Sequence, residues 1–137
     1  MKYLSHYTEK AHSELFKSTG SFFAFGQQQF DEQRKEGVKY VSLGAGLICP
    51  KNAVNELLSG LENIGVQCRK IDVEENGAAG IIEREYFNYE CQIAMDTSDA
   101  MSALEPYTEL FPDLFTPELI QSVFVNCLNK AIEQDMF

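Results

Sequence analysis

The run Pro50-Lys51-Asn52-Ala53-Val54-Asn55-Glu56-Leu57-Leu58-Ser59-Gly60-Leu61-Glu62-Asn63-Ile64-Gly65 decides the fold class. Val54, Leu57, Leu58, Leu61 and Ile64 recur at intervals of three and four, which puts one apolar stripe on an α-helix. Pro50 can open that helix at its first position, where a missing N–H is no loss. Gly65 is expected to cap its end.

Working outward, the same period recurs. Leu4, Tyr7, Ala11 and Leu15 predict a helix over Lys2–Ser18, with Gly20 as its breaker. Gln27–Glu36 is rich in helix formers and stops at Gly37. Downstream, Asn76-Gly77 signals a turn. From Ala78, the residues Ile82, Tyr86, Tyr89 and Ile93 make another stripe. Asp96-Thr97-Ser98 can cap a short helix over Asp99–Leu104. Pro106, Pro112 and Pro117 mark a loop. Thr116 and Pro117 then start a last helix, with Ile120, Val123, Phe124, Cys127 and Ala131 on one face.

Three segments lack the helical period. Phe22-Phe23-Ala24-Phe25 reads as a buried strand or a buried turn. Lys39–Leu43 has the β-branched and aromatic content of a short strand. Val66–Val73 fits either a strand paired with residues 39–43 or more helix. The expected fold is therefore mainly α: a single domain over residues 1–137 of about five helices, with at most a minor element of two or three short strands, an α+β variant.

The 137 residues suffice for a core without staples. Ten Phe and six Tyr with no Trp make aromatics its expected bulk. Cys49, Cys68, Cys91 and Cys127 form no C-x-x-C pair and no Cys/His cluster, so neither a structural zinc site nor any other metal is expected. They read as free, buried thiols of a cytoplasmic protein. Met1–His6 has no apolar region of a secretory leader, and no run approaches the ~20 apolar residues of a membrane span.

Charge is divided unevenly. Residues 1–70 hold nine Lys/Arg and seven Asp/Glu, a net of +2; residues 71–137 hold two and fourteen, a net of −12. Between Arg84 and Lys130 there is no basic residue, and Glu85, Glu90, Asp96, Asp99, Glu105, Glu109, Asp113 and Glu118 fall in that gap. Such a surface repels nucleic acid and acidic membranes and attracts basic partners. Solubility alone is the competing explanation.

Candidate sites are few. Gly44-Ala45-Gly46 before a helix invites comparison with a phosphate-binding loop, but a dinucleotide fingerprint would need glycine at Cys49, and Gly-Lys-Ser/Thr is absent. The loop could present N–H groups to an anion with Lys51 nearby, although glycines before a helix more often only turn the chain. No cofactor is expected. His6 and His12 have no sequence link to any thiol, so no cysteine nucleophile stands out. On a helix, Glu83 and Glu90 share one flank of the stripe, a spacing open to acid–base or metal chemistry. The plainer reading is a solvated flank with Arg84 paired to a neighbouring acid.

Phe23-Ala24-Phe25-Gly26-Gln27-Gln28-Gln29-Phe30 with Glu32, then Tyr40-Val41-Ser42-Leu43-Gly44-Ala45-Gly46 and Pro50, resemble a pattern in small uncharacterised bacterial and phage-borne proteins. Ile82, Arg84-Glu85, Asn88-Tyr89-Glu90-Cys91 and Asp96, followed by a helix ending near Tyr107, are similar to its second half. The resemblance covers roughly residues 15–107. It implies a helical domain in a phage or mobile-element context and carries no activity. It singles out Gln29, Glu32, Asn88, Glu90 and Asp96. The chain departs from the pattern at Met95, where a glycine is expected before Asp96.

Two functions follow as expectations. The first is an acidic interaction protein, an inhibitor of the host-defence or anti-CRISPR type, whose eight carboxylates of residues 85–118 dock on a basic, nucleic-acid-binding partner. The second is a small-ligand or enzymatic domain in which Gln29, Glu32, Gly44, Gly46, Asn88 and Glu90 converge. An enzyme is the less expected of the two. Direct nucleic-acid binding is disfavoured because no basic stripe exists. Oligomeric state is left open, a homodimer included.

Overall fold

The computed structural model describes residues 2–136. The element order is α1 (Leu4–Thr19), β1 (Phe22–Phe23), α2 (Gln27–Gln33), β2 (Tyr40–Ser42), β3 (Leu47–Pro50), a 3₁₀ turn (Lys51–Ala53), α3 (Val54–Asn88), α4 (Cys91–Ala94), α5 (Ser98–Leu110) and α6 (Pro117–Glu133). The fold is mainly α with a minor three-stranded antiparallel sheet, as the periodicities predict. The chain divides into two compact units. One comprises Ser5–Cys68; the other comprises residues from Arg69 onward together with those up to Leu4.

In the first unit, α1 ends as its sequence predicts: Ser21 N–H donates to Phe16 C=O at 2.8 Å and Gly20 N–H to Lys17 C=O at 3.3 Å. The sheet order is β1-β3-β2, with Val41 opposite Cys49 and Phe22 opposite Ile48. The strand over residues 40–42 is therefore real, but its partner is β3, not residues 66–73. Those residues are helical, and Gly65 lies inside α3. The apolar stripe continues past it through Cys68, and one glycine costs only ~1 kcal/mol in a helix. Pro50 closes β3 and precedes the 3₁₀ turn, so α3 starts at Val54. Phe22–Phe23 is a strand, but Phe23 and Phe25 are exposed rather than buried.

Gly44-Ala45-Gly46 is the β2–β3 hairpin turn, closed by Leu43 N–H to Leu47 C=O at 2.9 Å. Gly46 has φ +81°, and a Cβ there would lie 2.4 Å from Phe25 Cε1. Gly46→Ala therefore combines backbone strain with a clash. It should lower stability by about 1–3 kcal/mol, read as a fall in urea midpoint at unchanged m-value.

In the second unit, Ile81, Ile82, Tyr86, Cys91, Ala100, Leu104, Tyr107, Phe115, Ile120, Phe124, Cys127 and Ala131 form one apolar core. Aromatic pairs run through it, Tyr86 with Phe124 at 5.4 Å and Tyr107 with Phe115 at 5.3 Å between centroids. The last helix is capped as expected, with Leu119 N–H donating to Thr116 Oγ1 at 3.2 Å and Pro117 in its first turn. Two expectations need correction. The stripe from Ile82 does not reach Ile93, because Glu90 turns left-handed (φ 51°) and starts the separate α4; Tyr89 and Ile93 are exposed. The helix expected at Asp99–Leu104 extends to Leu110 with Pro106 inside it.

Met95 also has φ +54°. That is the conformation glycine adopts freely and a side chain does not, so the glycine expected before Asp96 has a backbone reason. Met95 is 70% exposed and buries little. Met95→Gly should accordingly raise stability by about 0.5–1 kcal/mol, seen as a higher melting temperature.

Candidate functional site

The aromatic-and-glutamine motif and the Tyr40–Gly46 motif meet in the first unit. Tyr40 packs edge-on to Phe22 at 5.4 Å and to Phe30 at 5.7 Å. Its hydroxyl accepts from Lys35 N–H at 3.0 Å. Gln29 Oε1 accepts from Phe25 N–H at 2.7 Å, which holds the loop that lays Phe25 across Gly46. Glu32 Oε1 accepts from Gln28 Nε2 at 3.2 Å on the exposed face of α2. The polar side chains of this motif thus serve the local fold: Gln29 acts as a loop cap and Glu32 as a helix-surface partner. Asn88 is exposed in the last turn of α3 and belongs to the other unit. Lys51 is not beside the glycine turn. It lies at the opposite end of the hairpin, where its N–H donates to Lys39 C=O at 2.8 Å.

The eight carboxylates of residues 85–118 all lie in the second unit. Seven are exposed: Glu90, Asp96, Asp99, Glu105, Glu109, Asp113 and Glu118. Asp96 accepts from Ser98 N–H at 2.9 Å and Ser98 Oγ at 2.6 Å, which holds its carboxyl below the usual range and steadies the entry to α5. None of the seven has an ion-pair partner among the described residues. Glu105 and Glu109 are four apart on α5, a like-charged spacing that destabilises a free helix slightly.

Glu85 is different. It is buried, and its Oε1 accepts from Arg84 Nε at 2.8 Å, so it is not part of the exposed acidic face. Arg84 also donates Nη1 and Nη2 to Asp72 Oδ1 and Oδ2 at 2.8 and 3.0 Å, a two-pronged pair. Tyr107 Oη donates to Asp72 Oδ2 at 2.5 Å, Asn76 Nδ2 donates to Oδ1 at 2.7 Å, and Lys2 C=O accepts from Arg84 Nη1 at 3.0 Å. The guanidinium is therefore fully occupied with its side chain only 2% exposed. Burial alone would raise the Asp72 pKa, but the hydrogen bonds from Arg84, Tyr107 and Asn76 outweigh it and hold the carboxyl below its ordinary value. Burial and the bond to Asp72 push the Tyr107 phenol up.

This network was not read from the sequence, beyond a pairing of Arg84 with a neighbouring acid. The missed signal is Asp72 itself. It falls four residues after Cys68 on the stripe that runs through Leu61 and Ile64, and a carboxylate on an apolar stripe implies a buried partner.

Burial pushes the Cys127 thiol up to about 11 and raises Cys91 as well, the opposite of what a reactive thiolate needs. Glu83, one of the two carboxylates open to acid–base or metal use, is paired with Lys130 at 3.1 Å. No group of three or more His, Cys, Asp or Glu able to hold a metal occurs among the described residues. No helix among them is long and apolar enough to cross a membrane.

Fold and site together define a mainly α protein with a small sheet, an acidic helical unit and a buried ion network. The chain belongs to the Family of unknown function (DUF7659), whose model matches residues 4–130. No curated protein matches the chain. No solved structure matches it either.

Proposed function

We propose that the acidic unit is a docking module for a protein with a basic, nucleic-acid-binding surface, and that the chain acts as an inhibitor in a phage or mobile-element setting. The carrying observation is charge isolation. Seven exposed carboxylates occupy a stretch without Lys or Arg, and both cations that bound it are neutralised: Arg84 inside the network and Lys130 by Glu83. The unit carries five Lys/Arg against fourteen Asp/Glu, a net of −9. A field of one sign steers a basic partner and repels the nucleic acid that competes for it. Exposed Met101 and Leu114 supply apolar contact area beside Glu105 and Asp113.

The test is affinity capture on the full chain from nuclease-treated host extract. A partner held by wild type should be lost at ~0.5 M salt, where the screening length falls to a few ångströms. It should also be displaced by duplex DNA or RNA. A variant with Glu90, Asp99, Glu105, Glu109 and Asp113 changed to Gln should retain it at least about tenfold less well. Capture insensitive to salt, to competitor and to these substitutions would remove the proposal.

A further inference from the structure

Four of the six Lys/Arg of the first unit line two adjoining clefts. Lys39 and Lys51 border one of about 560 Å3, and Lys17 and Lys35 border one of about 350 Å3. Val38 and Asn52 line both, which makes them one continuous concave surface. The lysines come from the end of α1, the α2–β2 connection and the 3₁₀ turn, so the fold gathers them from positions 17 to 51. Among the described residues no Asp or Glu lines either cleft, in a chain with 21 of them and a net charge of −10.

Two further facts point to an anion. Lys39 and Lys51 are joined just beyond the last β2–β3 pair, Tyr40 opposite Pro50, by the hydrogen bond from Lys51 N–H to Lys39 C=O at 2.8 Å. Like charges brought this close along the backbone repel unless an anion lies between them. None of the four lysines has an ion-pair partner among the described residues. The four charges therefore border a cleft of ligand size with no counter-charge paired to them among the described residues.

We infer that this cleft binds a small polyphosphate ester, of the nucleoside di- or triphosphate class. Four positive charges match the three to four negative charges of such a group. All four are lysines, compact point charges of the kind that hold the phosphates in P-loop sites. The cleft's other donors are sparse. Gln33 Nε2 is spent on Phe23 C=O at 2.9 Å and Ser18 Oγ on Leu15 C=O at 2.9 Å, so recognition rests on the phosphates rather than a base. This site is independent of the acidic docking face.

The experiment is calorimetric titration of the full chain at low salt with pyrophosphate, ATP, citrate and a ten-nucleotide single-stranded DNA. Pyrophosphate and ATP should bind, each at least about tenfold more tightly than citrate. Lys39→Gln with Lys51→Gln should weaken both by at least about tenfold, while Lys10→Gln, outside the cleft, should change them less than about twofold. The unliganded double variant should melt no lower than wild type, because neither lysine side chain has an ion-pair partner among the described residues to lose. Undetectable pyrophosphate and ATP binding would overturn the inference, as would unchanged affinity in the double variant. Equal affinity for citrate would overturn the phosphate assignment. Tighter binding of the oligonucleotide than of ATP would replace a small ligand with a strand.

Discussion

Arg84→Met should cost about 3–5 kcal/mol and reverse the protein's response to acid. Arg84 is the single cation between Asp72 and Glu85, with side-chain exposures of 0% and 9% for the two acids. Removing it leaves two buried carboxylates without their counter-charge. Total stability for a chain of this size is of order 5–15 kcal/mol, so the variant should sit near its unfolding threshold at neutral pH. Asp72→Ala should cost less, because Glu85 still faces the guanidinium as a counter-charge, although Arg84 Nη1 and Nη2, Tyr107 and Asn76 all lose an acceptor.

The pH dependence separates loss of charge compensation from loss of packing. In wild type the folded Asp72 pKa is depressed below the ordinary aspartate value. Its contribution is therefore fully present above about pH 5 and lost as pH falls through the folded pKa. In Arg84→Met the burial of Asp72, the strongest influence on its carboxyl, is opposed only by the neutral donors Tyr107 and Asn76. The folded pKa should rise above the unfolded value, so the variant gains stability as pH falls from neutrality toward about 4. Urea midpoints between pH 4 and 7 should rise with pH or stay level for wild type and fall for the variant. Parallel curves would mean that packing alone was lost. Adding Asp72→Asn to Arg84→Met should recover part of the stability at pH 7, because one uncompensated charge is gone.

What could be read from the sequence follows a physical division. Helices with caps and a sustained stripe, such as the one started by Thr116-Pro117, are local statements and emerge where expected. β3 was missed because Leu47-Ile48-Cys49-Pro50 is four residues with no alternation, and it becomes a strand only through β1 and β2 on either side. Gly65 misled because a glycine ends a helix only when the chain has somewhere else to go, and here the stripe carries on to Cys68 and Asp72. The acidic stretch was fully legible as charge. That Glu85 is inside was not, because its burial depends on Arg84 being held by Asp72, twelve residues earlier, and by Tyr107, twenty-three later. The lysine cleft was illegible for the same reason: positions 17, 35, 39 and 51 come together only when the end of α1, the α2–β2 connection and the 3₁₀ turn are packed side by side.

Gly77→Ala should cost about 2–4 kcal/mol, combining backbone strain with partial loss of the Asp72–Arg84 pair. The Asn76-Gly77 turn signal falls inside what is otherwise one helical run over Val54–Asn88, and Gly77 there has φ 72° and ψ 161°. That region is essentially closed to residues with a Cβ. The break has a definite purpose. Twelve residues along an unbroken helix span about 18 Å, too far for Arg84 to grip Asp72. The non-helical step at Gly77 brings the two arms to hydrogen-bond distance, 2.8 and 3.0 Å. A Cβ on Gly77 would meet nothing within 4 Å, so crowding plays no part and the whole effect must come through the backbone. That makes the substitution diagnostic. Gly77→Ala can relieve its strain by continuing the helix, which draws Asp72 away from Arg84, so its loss should be coupled to theirs. Placed on Arg84→Met, where the pair is already gone, it should cost no more than the backbone term of about 1–3 kcal/mol. Full additivity of the two substitutions in a double-mutant cycle would show that the kink and the ion network are unrelated.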